Sequence, residues 1–283
     1  PVVASGAADA FAFDDRALAL CCASHSGEPE HAALAADMLA RAGLGVTDLE
    51  CGAHPPMNDS AARALVKAGA RPTALHNNCS GKHAGMLATA RHLGWPTAGY
   101  VQPDHPVQRR IAAVLGELTG LAIDTAPCGI DGCSVPTWAL PIDSLARAYA
   151  RIAAGVGAEP AAIGRALLGA AIRQPFFVAG TGRVCTRLMQ NLAGRAFVKT
   201  GAEGVYCAAL PAAGIGIALK IDDGAGRAAE IAIAAVLAAL LPDAATAIKG
   251  LARRPLTNVR GKRIGELRPA ADLRRGLDAL RPV

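Results

Sequence analysis

The sequence predicts a mixed fold of the α/β (α+β) class, in which an antiparallel sheet flanked by helices stands beside a helical region. Three observations predict it. Apolar residues recur at helical spacing through most of the first 173 positions, three short β-leaning runs follow one another between positions 196 and 221, and a helical run comes after them. Helices followed by a meander, without strict strand–helix alternation, argue for a segregated antiparallel sheet.

The elements follow in order. The apolar run Leu18–Ala23 reads as a buried strand, with Cys21 and Cys22 packing as small hydrophobes. Glu30–Leu44 reads as a helix, with Gly43 near its end; Asp59–Ala70 reads as a second, capped by Asp59 or Ser60. Lys82–Leu93 is a helix leaving a Ser-Gly turn, and Asp104–Leu118 is another with Pro106 in its first turn. Ile142–Ala154 and Pro160–Arg173 are two more. Ala196–Lys199, Val205–Leu210 and Gly214–Ile221 are the β-leaning runs, and Asp223-Gly224 is a tight-turn signal before the helix Ala228–Leu241. No internal repeat or low-complexity linker divides the chain, which reads as one domain over 1–283 with a basic segment at 251–283.

At 283 residues and 52% hydrophobic the chain can bury a sizeable core, and this composition excludes intrinsic disorder. Its longest strongly apolar run, Ile231–Leu241, has eleven residues, whereas a membrane span needs roughly 20. No basic-then-apolar leader opens the chain, so a cytoplasmic protein with no membrane partner is expected. The formal charge of +6 lies wholly in positions 251–283, where nine basic residues face three acidic ones. No aromatic residue lies among those arginines to stack on bases, so the segment reads as a solvated charged tail and no nucleic-acid partner is expected. Eight cysteines in a chain of this size, without a leader, read as thiols or metal ligands and not as a disulfide framework.

Four segments concentrate reactive groups. In Cys22-Ala-Ser-His-Ser-Gly-Glu-Pro-Glu-His31, Ser24 stands where an apolar run meets a polar turn. It is either a nucleophile, if a base lies nearby, or part of the start of the next helix. In His76-Asn-Asn-Cys-Ser-Gly-Lys-His83, a tight turn could aim Cys79 and Lys82 at one point; the segment either binds a metal or caps a helix. A lysine joins a metal only as the neutral amine, which needs a lowered pKa. Gly129-Ile-Asp-Gly-Cys-Ser-Val-Pro136 offers Asp131 and Cys133, and Cys79 with Cys133 could close a zinc site from two loops. In Val198-Lys-Thr-Gly-Ala-Glu-Gly-Val205, a Lys-Thr-Gly on a strand is like the third motif of β-lactamase-type acyl-transfer enzymes, with the glycine letting substrate approach. Only six of 29 basic residues are lysines, so lysine is used sparingly. Ala179-Gly-Thr-Gly-Arg183 reads as a turn between helices, and His54, His92 and His105 as ordinary histidines.

Together and in this order, Cys-Ala-Ser-His-Ser (22–26), Asn-Cys-Ser-Gly-Lys-His (78–83), Asp-Gly-Cys (131–133) and the Lys199 strand with Gly201 resemble the asparaginase II family, the rhizobial-type L-asparaginases, from about Phe11 to Ile221. The resemblance implies a serine β-lactamase/glutaminase-like fold, a homodimer, and hydrolysis of L-asparagine to L-aspartate and ammonia. It implies that Ser24 and Lys199 form a catalytic Ser–Lys pair. It also implies that Cys79, Lys82 and Cys133 hold a zinc ion that tunes the site without activating water. His83, Asp131 and Gly201 would contact substrate or water.

The family's other pair is a Ser-x-x-Lys motif near the N-terminus, and no Ser-x-x-Lys occurs in these 283 residues. The expectation is a domain lacking that segment and its N-terminal strands, with activity impaired accordingly. The alternatives are a catalytically dead zinc-binding remnant and a β-lactamase- or peptidase-like hydrolase.

Overall fold

The computed structural model describes residues 1–156 and 159–280. Its N-terminal part is helical: α1 (Ala7–Ala10), α2 (Asp15–Cys21), α3 (Pro29–Arg41), α4 (Asp59–Lys67), α5 (Ser80–His92) and α6 (Pro106–Thr119). Their starts are chemically specified. Asp14 Oδ1 accepts the Ala17 N–H at 3.0 Å to open α2, and Asn58 Oδ1 accepts the Ala61 N–H at 2.9 Å to open α4. The cap of α4 is thus Asn58, one residue before the two expected. Pro29 and Pro106 begin α3 and α6, where a missing N–H costs nothing. Gly120, at φ +77°, ends α6 in the left-handed conformation.

The strand expected before Ser24 is the helix α2. A short apolar run does not distinguish a buried strand from a buried helix, and here the Asp14 cap decides for the helix. The helix α5 is buried almost all round, so its apolar residues form no stripe.

A two-stranded hairpin follows, β1 (Cys128–Ile130) with β2 (Pro136–Trp138), and then α7 (Ile142–Ala154), α8 (Glu159–Arg173), α9 (Pro175–Val178) and α10 (Val184–Asn191). The meander comes next as an antiparallel sheet in the order β3 (Phe197–Thr200), β4 (Val205–Leu210), β5 (Ile215–Lys220). Its register sets Lys199 opposite Cys207, and Cys207 opposite Ala218. Gly224, at φ +75°, turns the chain out of β5 into α11 (Gly226–Leu240), so the Asp223-Gly224 signal marks a strand-to-helix turn.

Residues 251–280 of the basic segment take in the end of α12 (Ala245–Ala252), the hairpin β6 (Arg254–Thr257) with β7 (Arg263–Leu267), and α13 (Ala271–Asp278). The segment remains largely exposed. Arg253, Arg263 and Arg268 gather around Glu266, so part of its charge is internally paired.

Among the described residues two large apolar cores result, beside a small cluster of Leu118, Ala148 and Ala161. One packs α10, α11 and α12 against the sheet, with Leu188, Val198, Ala208, Ile233, Leu237 and Ile248 fully buried. The other joins α2, α3 and α5 through Leu20, Met38, Leu39 and Leu87. Phe177, in α9, packs against both. Among the described residues no helix is long and apolar enough to cross a membrane.

Candidate active site

Ser24 leaves the C-terminal end of α2 in a short loop. Its N–H donates to the Val178 carbonyl at 3.1 Å, and the next N–H, of His25, donates to Asn78 at 3.0 Å. The loop is thus pinned on one side to α9 and on the other to the approach to α5. Lys199 reaches it from the edge strand β3. Its Nζ lies 2.8 Å from Ser24 Oγ and donates to the Thr200 carbonyl at 2.6 Å. Two residues 175 positions apart are therefore in direct hydrogen-bond contact. Burial pulls the Lys199 pKa below the ordinary lysine value; Lys82 and Arg183 add to this, while the Cys185 and Cys79 sulfurs oppose it. Lowered basicity raises the fraction of neutral amine, the form that can take a hydroxyl proton.

A cavity of about 510 Å³ opens beside this pair, and Ser24, Cys79, Lys82, Asp131, Lys199 and Gly201 all line it. A larger, mainly apolar cleft of about 890 Å³ adjoins it, sharing Lys82, Asp131 and Gly201 and walled further out by Met86, Ile111 and Trp138. Gly201 follows β3 with its N–H bonded to the Val205 carbonyl at 2.8 Å; a Cβ there would press on Val205 at 3.0 Å.

Across the cavity from Lys199 stands the sulfur cluster. Cys79 is the residue just before α5, Lys82 lies in its first turn, and Cys133 comes from the β1–β2 loop. Lys82 Nζ donates to Cys133 Sγ at 3.2 Å, and Cys133 Sγ donates to Asp131 Oδ2 at 3.4 Å. Asp131 Oδ1 accepts the Gly132 N–H at 2.8 Å, which fixes the carboxylate at the loop tip. Close approach of Cys133 pushes the Cys79 thiol down to about 6 against the effect of burial, with help from Lys82, and Cys133 is reciprocally pushed up to about 12. Burial opposes the charge on Lys82, but the two sulfurs and Asp131 together hold its pKa above the ordinary value. These side chains therefore favour the ammonium form of Lys82, and the lowered pKa that a metal-binding lysine needs does not come from them alone. Among the described residues no three His, Cys, Asp or Glu side chains are grouped to hold a metal; the candidate set is two cysteines and this lysine.

His83 is fully buried in α5 and lines neither cavity. The Tyr100 hydroxyl accepts the Glu50 N–H at 3.0 Å and donates to His83 Nδ1 at 2.7 Å. His83 Nε2 is buried without a hydrogen-bond partner of good geometry and faces Cys133. Burial keeps the ring neutral.

Sequence reasoning gave no role to several neighbours. The Ala179–Arg183 turn is clamped to the Ser24 loop: Glu28 accepts both the N–H and the hydroxyl of Thr181, at 2.8 and 2.7 Å, and Arg183 donates to Ser26 Oγ at 3.4 Å. Gly180 sits at φ +114° with no room for a Cβ, which would lie 2.5 Å from Glu28 Oε1. The signal was the density of Ser, His and Glu after Ser24, which had no visible partner in the chain. His54, expected to be ordinary, accepts the Asn78 N–H at 3.0 Å and so supports the approach to Cys79.

A search of curated proteins found no match to this sequence. The family model for L-asparaginase II matches residues 1–269, from the first helix through the sheet to the β6–β7 hairpin. That span takes in the Ser24 loop, the cluster before α5 and strand β3, and the chain belongs to the L-asparaginase II family.

Proposed function

We propose that the chain hydrolyses the side-chain amide of L-asparagine to L-aspartate and ammonia by acyl transfer through Ser24, on a serine β-lactamase/glutaminase-like scaffold. Family membership supports an asparagine amidohydrolase. The observation that carries the mechanism is the 2.8 Å contact between Ser24 Oγ and Lys199 Nζ at the wall of a shared cavity. Neutral Lys199 takes the Ser24 proton as Oγ bonds to the amide carbon. The C–N bond then breaks, and the nitrogen leaves as ammonia carrying that proton. Water adds to the ester carbon and gives a proton to Lys199, which returns it to Oγ as aspartate departs. Asp131 supplies a carboxylate for the substrate ammonium, and Gly201 leaves room for the substrate beside β3.

Cys79, Lys82 and Cys133 would hold a zinc ion. The donor types support this reading: two sulfurs and the Lys82 amine lie together, and the amine would have to give up its proton to bind the metal. Zinc there supplies positive charge that fixes the cavity wall; the chemistry on the amide belongs to Ser24 and Lys199. The homodimer implied by the resemblance and the cytoplasmic location expected from the sequence belong to the same reading, and light scattering on the purified chain tests the first.

Ammonia release from asparagine and glutamine, beside hydrolysis of a chromogenic lactam, tests the activity. Asparagine turnover is expected, with Ser24→Ala and Lys199→Met lowering it by about 10²–10⁴-fold. Lactam hydrolysis without asparagine turnover would favour a peptidase-like hydrolase; bound zinc with no turnover would favour a dead remnant. For the metal, Cys79→Ser and Cys133→Ser should lose zinc by elemental analysis. Chelation should lower turnover without abolishing it, and complete loss on chelation would make the metal part of the chemistry.

A further inference from the structure

His25 follows Ser24 directly and is completely buried. Its Nδ1 accepts the Gly27 N–H at 3.1 Å, so that nitrogen carries no proton. The ring proton therefore sits on Nε2, which contacts Ser80 Oγ at 2.9 Å. Ser80 spends its own proton on the Leu75 carbonyl at 3.0 Å, so it can only accept from His25. One neutral tautomer satisfies every polar atom in the chain of contacts.

Ser80 is itself buried, between Cys79 and Lys82 in the first turn of α5. Backbone and side chain of His25 thus both bond to the segment that carries the cluster, at Asn78 and at Ser80. On its other side the ring stacks on His31 at 4.8 Å, and His31 stacks on Phe176 at 4.5 Å. His31 Nε2 donates to the Phe176 carbonyl at 2.9 Å, in the same short helix whose Val178 accepts the Ser24 N–H. Helix α2 meets α5 just below with no space to spare: a Cβ on Gly81 would lie 2.3 Å from Leu20 Cγ.

We propose that His25 is a positioning residue, which latches the Ser24 loop to the first turn of α5 through Ser80 and so fixes the Ser24–Lys199 pair against the Cys79–Lys82 wall of the cavity. The inference rests on the Ser24 reading given above. A catalytic atom displaced by about 1 Å can cost a hundredfold in rate. The latch therefore acts on kcat, because it sets where Oγ stands and touches no substrate.

The test compares Ser80→Ala, His25→Phe, which keeps the stacked ring and drops both hydrogen bonds, and His25→Gln, which restores a donor toward Ser80. Two readouts are taken on the full chain: kcat and KM for asparagine, and the rate at which a fluorophosphonate labels Ser24, read by mass spectrometry. Ser80→Ala and His25→Phe should each lower kcat and labelling by about 10–100-fold with KM within twofold. His25→Gln should recover most of the loss, and the double variant His25→Phe/Ser80→Ala should be no worse than His25→Phe alone. Wild-type labelling and turnover in Ser80→Ala and His25→Phe would overturn the proposal, as would equal losses in His25→Phe and His25→Gln. Labelling that responds to these variants in a chain inert toward asparagine would overturn the substrate and leave the latch standing. No labelling of Ser24 in the wild type would overturn both.

Discussion

At Lys199 the strand geometry and burial work in the same direction. An edge strand carries the amine to Ser24 Oγ at 2.8 Å, and burial lowers its basicity; the Cys185 and Cys79 sulfurs oppose that shift, and Lys82 and Arg183 add to it. A general base must be deprotonated to act, so the sign of the pH dependence follows. The rate is low while Lys199 is protonated and rises with pH as the amine loses its proton. The rise falls below the ordinary lysine value of about 10.4. Lys199→Arg removes it, since a guanidinium stays protonated across the accessible range. Profiles of kcat/KM against pH for the two chains check this; an identical rising limb in Lys199→Arg would move the base elsewhere. At the same scale, the residue types of the site were legible in the sequence: Ser24, Cys79, Lys82, Asp131, Lys199 and Gly201 do meet at one cavity. His83 was misleading because its motif neighbours face the cavity while its own side chain, on the inner face of α5, meets Tyr100. The His25–Ser80 contact was not legible, because nothing local tells a buried histidine which residue 55 positions away will accept its proton.

Among the elements, the meander and most of the long helices could be read from periodicity and turn residues. What escaped were short elements of eight residues or fewer: α1, α9, α10, α12, α13, the β1–β2 hairpin and the C-terminal hairpin. The sheet's attachment to α7 was also hidden, although its signature is a single glycine. Gly216 lies mid-strand in β5, where glycine is ordinarily a weakness. Here a Cβ would stand 2.1 Å from the Ala146 carbonyl oxygen and 2.2 Å from the Ala150 nitrogen, so the α7 backbone lies directly on the strand. Gly216→Ala therefore forces the helix and sheet apart. Overpacking costs typically about 1–3 kcal/mol and occasionally more; backbone on backbone has no flexible atom to yield, so about 3 kcal/mol or more is expected. Denaturant midpoints of the variant and of Gly250→Ala, which has open space at its Cβ, provide the measurement and its control. Equal midpoints would show that α7 does not press on β5.

For the whole molecule, the reactive pair spans the joint between the two apolar cores. Ser24 comes from the end of α2, which roots in one core through Leu20, and Lys199 from β3, whose neighbour Val198 is buried in the other. Neutral imidazoles take part in the joint: His25 and His31 are fully buried, and each accepts a backbone N–H on Nδ1, from Gly27 and Glu28. A proton on either Nδ1 would turn an acceptor into a second donor facing a donor. Burial, first of all, lowers the pKa of both, although the Phe176 carbonyl and nearby carboxylates partly oppose the shift at His31. In the unfolded chain both titrate near 6.5. Below that value the unfolded state binds protons that the folded state excludes, so their contribution to stability is complete above about 6.5 and declines as pH falls toward the depressed folded values. Each histidine contributes at most about 1.4 kcal/mol per pH unit within that window. Exposed ion pairs such as Arg173–Asp15 and Arg195–Asp243 add little, and titrate lower, in the carboxylate range. Urea unfolding at pH 7.5, 6.5 and 5.5 should show a histidine-dependent drop between the last two points; the decline from 7.5 to 6.5 belongs to Cys79 and the N-terminal amine, whose pKa values folding also lowers. His31→Gln, which has no proton to gain, should reduce that drop by about a third, because His83 is a third buried imidazole whose pKa burial lowers. Unchanged stability from pH 7.5 to 5.5 would mean that the joint between the cores does not depend on neutral histidine.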